Sequence, residues 1–214
     1  MSTLIDSLIA ALLLVNLGLV GSSRLTGCIR LAALQGVLVG LLPLVSHAGV
    51  APRTVILALG VISLKGIVFP RLLANAIRNA DVRREIEPFV GFSVSLLMAL
   101  GLVAVSFWLG SNLPLPENQF PGKLVIPGAL CTILIGLFLI ISRRKAVNQV
   151  LGYLVIENGI AAFGLALVPD IPMLIELGIL LDVFFGIFIM AIMIYRIGRE
   201  FNHIDVDRLS TLKG

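Results

Sequence analysis

Residues 124–142 read LVIPGALCTILIGLFLIIS, nineteen consecutive positions without a formal charge, followed at once by Arg143, Arg144 and Lys145. As a helix rising about 1.5 Å per residue, this run is roughly 28 Å long, close to the thickness of a bilayer's hydrocarbon core. The rest of the chain repeats the pattern. Of its 214 residues 58% are apolar and 13% charged, with a mean hydropathy of +1.09, which leaves too little polar surface to face water. The expected class is an all-α, polytopic membrane protein.

Working outward from 124–142, long apolar runs broken by charge or proline give seven expected spans, near 4–22, 31–48, 54–77, 89–109, 124–142, 147–168 and 172–195. The first run carries Asp6 and no basic residue, so it reads as a retained span and not as a secretory signal. Charge assigns the sides. Thirteen of the sixteen basic residues follow or end the odd-numbered spans: Arg24 and Arg30; Arg71, Arg78, Arg83 and Arg84; Arg143, Arg144 and Lys145; Arg196, Arg199, Arg208 and Lys213. The opposite loops hold Arg53 and Lys123, and Lys65 lies inside a span. By the positive-inside rule the N-terminus is expected outside and the C-terminus in the cytoplasm, in the inner (cytoplasmic) membrane. The basic balance is thus a topology signal and does not point to nucleic acid.

No segment between spans is long enough for a folded soluble domain; the longest are 111–123, with three prolines, and the tail from Arg196. The chain divides into a four-helix region, 1–110, and a three-helix region, 111–214. Cys28 and Cys131 form no CxxC or Cys/His cluster, so neither a metal site nor a disulfide is expected. A faint internal echo aligns 31–37 with 153–159 and 59–61 with 177–179, which sets Lys65 one residue from the counterpart of Asp182.

Three charges stand where charge is expensive. Lys65, Glu157 and Asp182 each lie about 10 or 11 residues into a span, roughly 15–17 Å deep. A charge at that depth costs on the order of 2.5–3.5 kcal/mol even on lenient insertion scales. Their common height suggests a lateral row of protonatable groups. The plainer reading is that Lys65 neutralises Glu157 or Asp182 and pins the helices in register. Glu176, near the start of the last span, reads as an entry or exit site, or as an interfacial carboxylate that reaches water. Pro70 should weaken the third helix just after Lys65 and favour a hydrated lysine. Gly36-Val-Leu-Val-Gly40 allows close helix approach, a pattern that arises readily in a chain with 21 glycines. Gln35 is explained by interhelical hydrogen bonding, His47 by an interfacial place and His203 by solvent.

The basic turn Arg143-Arg144, the glycine and mid-membrane acid of the next helix (Gly152, Glu157), the run Asp182-Val-Phe-Phe-Gly186 and the tail His203-Ile204-Asp205 resemble the three-helix K subunit of NADH:quinone oxidoreductase (complex I) and the C subunit of Mrp-type antiporters. With its additional N-terminal spans, the whole chain resembles the hydrogenase-4 component E family of group 4 [NiFe] hydrogenases. The resemblance implies a non-catalytic subunit that binds no cofactor itself. The [NiFe] centre and iron–sulfur clusters would belong to partner chains. Partners would be antiporter-like and quinone-module-like membrane subunits and a peripheral hydrogenase or oxidoreductase arm. Glu157 and Asp182 would match two proton-carrying acids. Glu157 stands about one turn later than the family spacing, and an aspartate replaces the usual glutamate at 182. Lys65 lies outside the K-like region, and its part rests on depth and charge. Two other functions fit the residues: an antiporter subunit without redox chemistry, and a scaffold whose charges only fix register.

Overall fold

The computed structural model describes residues 2–46, 52–79, 91–113, 122–143 and 146–167, together with Gly178 and Gly186, and every regular element among them is helical. The helices are α1 (Ser2–Gly21), α2 (Leu25–Ser46), α3 (Pro52–Ser63), α4 (Phe69–Asn79), α5 (Phe92–Asn112), α6 (Val125–Ser142) and α7 (Ala146–Leu167), with a π-helical turn, Leu64–Val68, joining α3 to α4. Five of the described segments are long and apolar enough to cross a membrane: Thr3–Gly21, Leu25–Val45, Pro52–Asn75, Phe92–Asn112 and Val125–Ser142. The chain is a multi-pass helical membrane protein. Within the expected seventh span, 172–195, only Gly178 and Gly186 are among the described residues, and both are helical.

One expectation is corrected at the first turn. Only Ser22, Ser23 and Arg24 separate α1 from α2, so Arg30 belongs to the helix and not to the connecting loop. Its side chain is exposed, and a long basic side chain can run along an apolar helix to reach the interface.

Side-chain contacts fix the direction of each helix. Between α1 and α2, Asn16 meets Gln35 and Leu19 meets Cys28, an antiparallel pairing. Opposite Gly40 and Gly36 of α2 lie Ile62 and Lys65, so the third segment runs back again. Arg143 at the end of α6 lies over the ring of Phe92 at the start of α5, while Pro127 near the start of α6 meets Gly110 near the end of α5. Helices α1 and α6 are parallel, with Asp6 beside Leu124, Ile9 beside Gly128, Asn16 beside Thr132 and Val20 beside Arg143. The chain direction therefore alternates from segment to segment, as successive membrane crossings require.

Glycine permits close approach at the α6–α7 hairpin. A Cβ on Gly136, Gly152 or Gly159 would stand 2.6–2.7 Å from an isoleucine side chain and within 3.1 Å of facing backbone. Interfaces built this way gain their packing from small residues, because lipid offers apolar side chains no worse a home than protein does. Outward faces carry Ile56, Leu59, Leu97 and Trp108, all more than half exposed, as an apolar solvent allows. At the start of α6, Asp6 Oδ1 accepts the Leu124 amide N–H at 3.0 Å, meeting one of the helix's orphan donors from a neighbouring helix. Gly122 makes room for that carboxylate, since a Cβ there would lie 2.6 Å from it.

Candidate functional site

The site begins with a defect in the third segment. Pro70 has no N–H, so it can serve neither the carbonyl of Gly66, four residues back, nor that of Lys65, five back. The helix widens ahead of it: Phe69 N–H reaches Leu64 O, the five-residue step of a π turn. Lys65 sits in this turn. Its stem lies against the bare backbone of Gly36, where a Cβ would come within 2.5 Å of the lysine Cβ. The GxxxG pattern of α2 is thus what admits the lysine-bearing segment, with Gly40 doing the same for Ile62. Beside Lys65 a cavity of about 10 Å³, roughly one water's worth, lies among Ile29, Ala32, Phe69, Leu73 and Asn158.

Lys65 is 6% exposed and Glu157 5%. The ammonium donates to Glu157 Oε1 at 2.9 Å and to Asn158 Oδ1 at 2.9 Å. From Asn158 a chain of side-chain hydrogen bonds continues through the bundle. Asn158 Nδ2 donates to Gln35 Oε1 at 3.0 Å, Gln35 Nε2 to Asn16 Oδ1, Asn16 Nδ2 to Thr132 Oγ1 at 2.8 Å, and the Thr132 hydroxyl to the Gly128 carbonyl at 2.7 Å. Every member is buried. Glu157 Oε2 is buried with no hydrogen-bond partner among the described residues.

These polar groups share one level. One apolar cluster holds Ile5, Ile9 and Leu12 of α1, Val39 and Leu42 of α2, Val125, Ile126 and Ala129 of α6 and Ala162 of α7. The other holds Val15 and Leu19 of α1, Leu25, Cys28, Ile29 and Ala32 of α2, Cys131, Ile135 and Leu139 of α6 and Leu151, Leu154 and Val155 of α7. On α2 and α7 the polar residues, Gln35 and the Glu157–Asn158 pair, fall between the two clusters. On α1 and α6, Asn16 and Thr132 come one residue past the switch from one cluster to the other. The result is a polar layer across four helices and the π turn, with apolar packing above and below. Unpaired, each such group would cost several kcal/mol in an environment without water.

Across its full length the chain is 33% identical to the Uncharacterized protein Rv0085 of Mycobacterium tuberculosis, a match over 99% of this chain and 97% of that protein. To Hydrogenase-4 component E of Escherichia coli (strain K12), and to that of Shigella flexneri, it is 27% identical over 100% of this chain and 99% of theirs. The family of NADH-ubiquinone/plastoquinone oxidoreductase chain 4L matches residues 125–214. No solved structure matches the chain. The chain is a homologue of Hydrogenase-4 component E along its whole length.

Of the residues expected to matter in this homologue, the structure brings Lys65 and Glu157 into direct contact. Asp182 and Glu176 lie outside the described residues. Gly186, four residues after Asp182, packs against Phe69, four residues after Lys65. Among the described residues no three His, Cys, Asp or Glu side chains converge.

Sequence reasoning missed Asn16, Thr132 and Asn158. Asn16 carried a readable signal, a single central amide in a span-length apolar helix; Thr132 did not, since threonine is common in spans. It also read Arg143 only as a basic residue following the fifth span, without foreseeing that its side chain is buried. The guanidinium is 2% exposed, donates through Nη2 to the Val20 carbonyl at 2.7 Å and stacks 5.2 Å from the Phe92 ring centre. It meets one of the carbonyls that α1 leaves orphaned at its end, which explains its burial.

Proposed function

We propose that this chain is a non-catalytic integral subunit of a membrane-bound hydrogenase or complex I-like oxidoreductase, and that Lys65 and Glu157 take part in moving protons or sodium ions coupled to electron transfer. The observation that carries the reading is the buried Lys65–Glu157 pair, whose second carboxylate oxygen has no partner among the described residues. A proton binding at Oε2 cancels the charge facing Lys65. Protonation of Glu157 is thereby felt strongly by whatever ionisable group stands next to Lys65.

In this reading Asp182 is the next group in the row and Glu176 lies toward its entry or exit. Support for Asp182 comes from its sequence depth and from the packing of Gly186 on Phe69. The redox centres are held by partner chains, and antiporter-like and quinone-module-like subunits flank this one in the cytoplasmic membrane. Seven spans with the N-terminus outside agree with the alternating helix directions and with the arginine-rich ends, Arg24 and Arg143 standing together at the end of α1.

The test is redox-driven proton uptake by inverted vesicles holding the assembled complex, with Glu157→Gln and Asp182→Asn compared with wild type. Loss of uptake with assembly and turnover intact is the expected result. If both variants assemble and pump normally, the charges fix register only and the chain is a scaffold. A complex that pumps without hydrogenase or quinone chemistry would instead point to an Mrp-type antiporter.

A further inference from the structure

The cavity beside Lys65 lies on one side of the polar layer. On α2 its walls, Ile29, Ala32 and Ala33, come before Gln35; in the third segment Phe69, Pro70 and Leu73 come after Lys65; and on α7 Leu154 comes before Glu157. Helices α2 and α7 start, and α4 ends, at the end of the bundle where Arg24 and Arg143 stand. The cavity therefore runs from Lys65 and Asn158 toward that basic end. The opposite side is closed. Just beyond the layer an isoleucine fills the space over a bare glycine at two interfaces, Ile62 over Gly40 and Ile9 over Gly128. Toward the basic end α2 presents only the methyls of Ala32 and Ala33, which are too short to fill the gap the π turn leaves. Ala33 and Pro70 are the half-buried members of the lining and the rest are buried, so the mouth opens between α2 and α4. Arg30, three residues before Ala33 on the same helix face, is exposed there, as are Thr26 a turn further on and Ala74 across the groove.

We infer that water enters the polar layer from the basic end only, through this cleft between α2 and α4, and that Arg30 keeps the mouth of the cleft wet. The size of the cavity, about 10 Å³, suits one water molecule and is far too small for a lipid chain. Its inner end carries the polar groups that a buried water needs, Lys65 and Asn158, while the walls leading to them are apolar. An arginine within a spanning helix lays its stem along apolar surface and keeps its head hydrated, so it draws water to the groove beside it. Arg30 is thus a positioning residue, acting on the layer through the solvent it retains. The orientation proposed above makes the basic end cytoplasmic. This inference deepens the translocation reading and rests on it for its purpose, because groups that exchange ions need an aqueous connection and a single open side fixes which phase they communicate with.

The test uses the full chain, with isotope-labelled alanine and asparagine, in phosphatidylcholine–phosphatidylglycerol vesicles. Solid-state NMR follows the transfer of magnetisation from water to the alanine methyls. Ala32 and Ala33 should receive it several times faster than Ala129 and Ala162, which lie beyond the layer in the other apolar cluster. Ala33→Leu, which fills the mouth, should slow transfer to Ala32 and to the Asn158 side chain several-fold. Arg30→Leu should do the same, and Arg30→Lys, which keeps a hydrated cation at the mouth, should restore the wild-type rate. Transfer to Ala32 and Ala33 as slow as to Ala129 and Ala162 in the wild-type chain overturns the inference, whether or not the variants fold. Fast transfer to all four methyls overturns it as well, by showing water on both sides of the layer, and so does a wild-type rate in folded Ala33→Leu. Normal pumping by Glu157→Gln would remove the translocation reading and leave the cleft to be judged by these transfer rates.

Discussion

Lys65 Nζ and Glu157 Oε1, 92 positions apart in the chain, meet at 2.9 Å between two apolar clusters. Because both groups are buried, the energetics of the contact are asymmetric: removing one partner strands the other's charge, whereas removing both leaves an apolar gap.

Lys65→Met or Glu157→Leu alone should therefore lower stability by about 3–5 kcal/mol, and the double variant should recover most of that loss. Thermal unfolding of the purified chain in detergent, arranged as a double-mutant cycle, measures it. Additive losses would mean the two charges are not energetically paired.

Gly36→Ala puts a methyl 2.5 Å from Lys65 Cβ and should force the π turn away from α2. Gly60→Ala meets nothing within 4 Å and serves as the control, expected to be neutral or to stabilise by up to about 1 kcal/mol. Thermal unfolding in detergent should show a loss of about 1–3 kcal/mol for Gly36→Ala, the usual cost of overpacking, and none for Gly60→Ala. Equal stability of the two variants would show that Gly36 does not set the position of the turn.

Pro70→Ala restores an N–H that can bond Gly66 O, which should draw the segment back toward regular α-helix and rotate Lys65 away from Glu157. The expected outcome is a chain no more stable than wild type, because parting two buried charges offsets the regained helix hydrogen bond, with proton uptake per turnover reduced. Unchanged uptake would show that the π turn is incidental to coupling.

Asp6→Ala removes the acceptor of the Leu124 amide and should cost about 1 kcal/mol, the usual worth of a helix N-terminal cap. Asp6 lies far from the polar layer, so pumping per assembled complex should not change. A pumping defect here would mean that α6 position, and not the Lys65 pair alone, sets coupling.

Arg143→Lys should behave as a damaging change although the charge is kept. A lysine has no planar group to lie over Phe92, and its single nitrogen must replace a fork that now reaches Val20 O. A stability loss comparable to that of Arg143→Ala, read by thermal unfolding, is expected.

Much of this protein is legible in its residues. The runs at 124–142 and 54–77 announce spans because hydropathy is a local property of side chains, summed over about 20 positions. Lys65 and Glu157 stand out for the same reason, as charges at a depth where charge is costly. Pro70 announces its defect through the missing N–H. Gly36 was legible as a small residue but not as the floor beneath Lys65, since a glycine's meaning depends on what the neighbouring helix brings to it.

What the sequence alone determined is therefore the helical class, the approximate position of the described helical segments, their apolar character and the presence of charges at mid-depth. What only the tertiary structure decided is which of those charges meet, that Asn16, Gln35, Thr132 and Asn158 join them in one hydrogen-bonded chain, and that Arg143 is buried against Val20 and Phe92. The reason is the solvent. In water a helix marks its buried face by apolar spacing, but in lipid the protein-facing and lipid-facing sides are equally apolar, so the pairing of helices is written in small residues and hydrogen bonds that become readable only when the helices are side by side.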